Sequence, residues 1–182
     1  MTVSRAGRIW GLIAVQAARR DGNVSAADAC AAAVAAVSVT GGWLTAASDG
    51  DTGHLMWIAD VVSEQLAELQ LTLGEGPSLD ASASGGPVLA SDLGTAEAAR
   101  RWPAFTPAAC QAGAGAIFAF PLRIGAIGAG VLGMYRAQPG PLSTSQLGDA
   151  LVFADTATLL LLDAGGQIFG LGVDHFGQAK RF

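Results

Sequence analysis

Basic charge is scarce in this chain. Lys180 is its single lysine, and Lys and Arg together number 10 against 15 acidic residues, for a net charge of −5 and a pI near 4.8. Nucleic-acid binding relies on Lys and Arg neutralising phosphates, so no nucleic-acid partner is expected. Cysteine is nearly absent too. Cys30 and Cys110 cannot build a framework of several disulfides or a four-cysteine zinc site. The histidines, His54 and His175, lie far apart and form no ligand pair, so neither a metal site nor a catalytic base is assigned. Long apolar runs are missing as well. The best stretch, Ala116–Tyr135, is interrupted by Pro121, Arg123 and several glycines, whereas a spanning helix needs about 20 mostly apolar residues. The apolar run Ile9–Val15 leads into Arg19-Arg20-Asp21 instead of a small-residue cleavage site. These features predict a cytoplasmic protein without a membrane partner. Charged residues make up only 14% of the chain and hydrophobic ones 51%, which excludes a disordered polymer.

What is present fits one domain of 182 residues. Ser4–Arg20 has helical spacing through Ile9, Leu12, Ile13 and Gln16. Ser25-x-x-Asp28 has the form of a capping box ahead of an alanine-rich helix, Ala26–Val37. Val39–Ala47 and His54–Ala59 flank the turn Ser48-Asp49-Gly50-Asp51, which is a hairpin pattern. Val61–Leu71 is helical. It meets Gly74-Glu75-Gly76-Pro77, which cannot extend it cheaply. A short helix at Ser78–Ala83 and a strand at Val88–Ser91 follow. Thr95–Gln111 is broken helix, then Ala116–Arg123 and Ala129–Tyr135 are strands, with Pro121 marking an edge or a bulge. Ser143-x-x-Gln146 caps a long amphipathic helix, Ser143–Asp163, and Ala164–Phe182 shows no clear period. Helices at both ends around hairpin-linked strands argue for an α+β fold with an antiparallel sheet.

The segment Leu69-Gln70-Leu71-Thr72-Leu73-Gly74-Glu75-Gly76-Pro77-Ser78-Leu79-Asp80-Ala81 resembles the mid-domain stretch of actinobacterial GAF domains that precede RNA-binding ANTAR modules. Three further pieces fit in order: Gly86–Leu89 through Asp92-Leu93, Arg101–Phe105, and Phe118–Arg123 through Gly130–Gly133. The resemblance implies a central sheet of five or six antiparallel strands, with helices on one face and a ligand pocket on the other. It also implies a role in signalling and transcription regulation. The expected division is a helix and turn at 1–23, a GAF domain at 24–163 and a tail at 164–182. The residues after Asp163 do not resemble an ANTAR module, so RNA-binding output is not expected of this chain.

Individual residues are weighed against structural roles. Gly74-Glu75-Gly76 is a candidate anion nest, but it lacks the Lys and Ser/Thr of a phosphate loop, and a helix stop with a turn explains it. GAF-fold enzymes that reduce methionine sulfoxide carry cysteines over the pocket. Cys30 lies on a helix stripe instead, and a buried hydrophobic role fits it better. Among the charges, Asp80, Asp92 and Arg123 stand out, with Asp92 and Arg123 placed at strand ends where they would orient a polar ligand. Trp43, Trp57, Phe118, Phe120 and Met134 lie on strands, where they either form the core or line an apolar pocket; Trp57 and Phe118 are the preferred lining, with Phe120 beside them as a ligand-binding candidate. The leading reading is a non-catalytic sensory module that binds a small molecule of unknown identity and forms a homodimer through its terminal helices. The alternative is an enzyme built on a GAF scaffold. No nucleophile–base pair or cofactor fingerprint in the sequence supports it.

Overall fold

The computed structural model describes residues 2–48 and 51–179. Helix α1 (Arg5–Arg20) starts where the Ser4 hydroxyl accepts from the Gly7 N–H, and its Ile9, Ile13 and Ala17 are buried. Helix α2 (Ala26–Ala36) starts as its sequence predicts, with the Ser25 N–H donating to Asp28 Oδ2 at 2.9 Å. Arg20 pairs with the same carboxylate at 2.8 Å, joining the end of α1 to the start of α2.

Five strands form one antiparallel sheet in the order β2-β1-β5-β4-β3. They are β1 (Gly41–Ser48), β2 (Asp51–Ile58), β3 (Val88–Ala90), β4 (Ala116–Ile124) and β5 (Ile127–Arg136). The hairpin β1–β2 forms as expected, while its turn residues Asp49 and Gly50 lie outside the described residues. Pro121 is accommodated because β3 pairs only with Ile117–Ala119, leaving the proline on a stretch of β4 with no strand on its outer side. The pairing of β4 with β5 slips between Leu122 and Arg123, and Ala129 is the extra residue. Next to it Gly130 has φ +155°, and a Cβ there would stand 1.9 Å from the Thr45 carbonyl oxygen. Only glycine fits that backbone.

Period-two alternation sends side chains to two cores. On one face Leu44, Phe118, Phe120, Leu122, Leu132 and Met134 pack against α1, α2 and α7 (Thr144–Ala179). On the other, Trp43, Ile117, Ala119, Val131 and Tyr135 meet Leu66 of α3 (Val61–Leu73), Ala81 of α4 (Pro77–Ser84), Ala98 of α5 (Ala96–Arg101), and Phe105 and Ala109 of α6 (Phe105–Ala112). Helices therefore cover both faces of the sheet. The terminal helices pack together, tied by Arg5 and Arg8 to the buried Asp149 at 3.2 and 2.7 Å. Arg136 fixes the end of α2, donating to the carbonyls of Val37 and Ser38.

Helix α7 runs on to Ala179, past the expected end at Asp163. Gly165 and Gly166 each weaken a helix by roughly 1 kcal/mol without stopping it, and no proline follows Pro141. The basic end Lys180-Arg181 lies outside the described residues. Among the described residues, no helix is long and apolar enough to cross a membrane.

Candidate functional site

The segment Gly74–Asp80 is a junction in which each polar group has a separate task. Gly74 ends α3 in the left-handed region at φ +69°. The Glu75 carboxylate reaches across the sequence to cap α6, accepting from the N–H groups of Ala104 at 2.6 Å and Phe105 at 2.8 Å. Gly76 precedes α4 at φ +142°, and a Cβ there would lie 2.4 Å from Gln70 Cγ. That gap lets the buried Gln70 side chain accept from the Ser78 N–H at 2.7 Å through Oε1, while Nε2 donates to the Leu66 carbonyl. Gln70 thus acts as the cap that Gly76 has no side chain to supply. Asp80 accepts from Arg101 Nε at 2.9 Å and from Trp102 Nε1 at 3.1 Å, fastening α4 to α5. No anion nest is needed to explain these residues.

Helix α3 is anchored at its other end by Asp60. Its Oδ1 accepts from the Ser63 N–H and hydroxyl, both at 2.7 Å, and its Oδ2 accepts from the Tyr135 hydroxyl at 2.7 Å. Burial works to raise the Asp60 pKa, but these hydrogen bonds outweigh it and hold the carboxyl below its usual value. Tyr135 moves the opposite way, raised by burial and by the neighbouring carboxylate.

Between this anchored pair of helices and the sheet is a cavity of about 290 Å³, at the lower edge of the ~300–1,000 Å³ usual for ligand sites. Trp43, Val131, Ala67, Gln70 and Ser78 supply buried walls, while Ala47, Leu71, Ser82 and Ala83 lie at the exposed rim. The Ser78 hydroxyl oxygen is buried out of reach of solvent and has no hydrogen-bond partner among the described residues. A second cleft of about 220 Å³ shares Ala47, Ser82, Ala83 and Gly130 with the first and adds Pro121, Gly128 and Arg123.

The five residues expected to bind ligand do not converge. Phe118 and Phe120 face the terminal helices in the closed core, where Arg136 lies over the Phe118 ring at 5.7 Å. Trp57 packs on that same face. Asp92 lies in a separate cavity of about 290 Å³ near Thr95 and Trp102, and its carboxylate accepts from the Gly94 N–H at 2.8 Å as a turn cap. Arg123 alone borders the cleft that joins the cavity. Of the strand residues considered for an apolar lining, Trp43 lies in this cavity, while Gln70, Ser78 and Ser82 carry no site signal in the sequence. The small residues Ala47, Ala67, Ala83 and Gly130 leave the volume open. Elsewhere, Cys30 is buried with its thiol pushed up by burial, Cys110 is exposed, and His54 is exposed on β2. Among the described residues, no three or more His, Cys, Asp and Glu side chains converge as a metal site would require.

No family description and no curated protein matches this sequence. Solved structures do resemble it. The GAF domain of a phosphoenolpyruvate-protein phosphotransferase from Coxiella burnetii superposes with a TM-score of 0.65 at 15% identity, over 90% of this chain and 98% of that one. The GAF domain of the Acinetobacter phosphoenolpyruvate-protein phosphotransferase gives a TM-score of 0.59 at 12% identity, over 87% of this chain and 96% of that one. The GAF-B domain of DevS from Mycobacterium smegmatis gives 0.55 at 19% identity, over 76% and 91%. The chain has the GAF fold.

Proposed function

We propose that this protein is a non-catalytic sensory GAF module of bacterial signalling, of the type found in actinobacterial transcription regulators, that takes a small molecule into the cavity above Trp43. The observation that carries the reading is a cavity with no charged lining side chain among the described residues, with Trp43 and Val131 in its buried wall and Ser82 and Ala83 at its open rim. The likeness to GAF domains of phosphoenolpyruvate-protein phosphotransferases and to a domain of a two-component sensor histidine kinase protein from Sinorhizobium meliloti supports the role by fold, which by itself fixes no ligand.

The response would pass to the terminal helices. Leu151, Leu159 and Leu162 are exposed along one face of α7, and Trp10 is exposed on α1. This stripe suits a homodimer packed as a helical bundle. Two measurements test the proposal. Hydrogen exchange across 66–83 should slow when small molecules from a cell extract are added to the wild type and not to Ser82→Tyr, whose side chain fills the rim. Light scattering should find a dimer that Leu159→Glu dissociates. Unchanged exchange would remove the ligand part, and a wild-type monomer the dimer part.

A further inference from the structure

Resting on the cavity reading above, we infer that the ligand is a small organic carboxylate, with an uncharged body over Trp43 and Val131 and its carboxylate on Arg123. The cavity and its adjoining cleft hold Arg123 as their one charged lining side chain among the described residues. Every other polar group of the main cavity is neutral: Thr45, Gln70, Ser78 and Ser82. A cationic ligand would find no counter-charge there. A phosphate dianion would find a single guanidinium and no second cation.

Arg5 and Arg8 share Asp149, Arg20 holds Asp28, Arg101 holds Asp80, and Arg136 is spent on carbonyls. Arg19 and Arg100 also lack a partner among the described residues, but both are exposed to water, which Arg123 is only in part. Arg123 is half-buried and makes no hydrogen bond or ion pair with the described residues. Its guanidinium lies in the space a side chain on Gly85 would occupy, beside the C-terminal end of α4. The negative end of that helix dipole favours the cation in this place. The planar fork remains available and matches a carboxylate in two parallel hydrogen bonds. The passage between cleft and cavity is bordered by Ala47, Ala83 and Gly130, so no large side chain separates the charge from the neutral chamber.

The test is a titration of the full-length isotope-labelled protein, followed by NMR, with four acids and their primary amides: phenylacetate, indole-3-acetate, 4-hydroxybenzoate and octanoate. At least one acid should shift the Trp43 indole and the Val131 and Ser82 amides, with its amide about tenfold weaker or more, the value of a charge-assisted pair. Arg123→Gln, checked for an unchanged melting profile, should bind that acid and its amide alike. Ser82→Tyr should bind neither. Amides that bind as tightly as acids, or an acid preference that survives Arg123→Gln, would overturn the carboxylate assignment while leaving the cavity as a binding site. Silence from every compound at these three signals would count against both.

Discussion

Replacing Glu75 with alanine isolates a contact that spans distant parts of the chain. One carboxylate oxygen accepts from two N–H groups at the start of α6, those of Ala104 and Phe105. Ala104 is exposed, so water replaces part of its loss, whereas Phe105 is fully buried and its N–H is only partly reached by water. A lost N-cap costs about 1 kcal/mol, and a charged acceptor raises a hydrogen bond to about 1.5–3 kcal/mol. With one amide rehydrated, Glu75→Ala should cost about 1–2 kcal/mol. At roughly 2–4 °C per kcal/mol for a domain of this size, the melting temperature falls by about 2–8 °C. Glu75→Gln keeps an acceptor oxygen and loses the charge, so about half the effect should remain. Urea unfolding followed by circular dichroism measures both. If alanine costs less than a few tenths of a kcal/mol, or glutamine costs as much as alanine, the carboxylate is not acting as the cap.

Further outcomes follow from the same geometry. Gly130→Ala should cost at least about 2 kcal/mol, because the new methyl would meet the Thr45 carbonyl and the backbone lies in a region reserved for glycine; a urea melt within 0.5 kcal/mol of wild type would contradict it. Asp149→Ala should speed amide exchange in α1, since both Arg5 and Arg8 lose their partner, while exchange in β4 stays put. Asp28 and Asp60 both have folded pKa values below the unfolded value of about 3.9. Their stabilisation is therefore complete above about pH 4 and disappears as pH falls through the folded values. Asp60→Asn should flatten that acid limb, and an unchanged limb would show that Asp60 does not titrate in this way. Native protein at neutral pH should take up one equivalent of iodoacetamide at Cys110, with Cys30 reacting only after unfolding.

The frame of the molecule was legible in its sequence because its signals are local. The capping groups Ser25/Asp28 and Ser143/Gln146 lie three residues apart, and both make their bonds. Period-two alternation also separated Ile117 and Ala119 from Phe118 and Phe120. It does not say which face keeps a cavity when helices bury both. The large aromatics Phe118 and Phe120 fill the thick core under three helices. The cavity above Trp43 lies where Ala47, Ala67, Ala83 and Gly130 leave space, and another of about 380 Å³ opens on the terminal-helix face beside Leu44, Met56 and Leu160. Glu75 was hidden for a different reason, since its partners are at Ala104 and Phe105 and no spacing rule links them.

The cavity as a binding site is tested most directly by native mass spectrometry of the wild type and Ser82→Tyr, each incubated with small molecules from the expressing cells and then desalted. A bound mass is expected on the wild type that disappears on denaturation and is absent from Ser82→Tyr. A wild type without added mass, or the same adduct on both proteins, would contradict it.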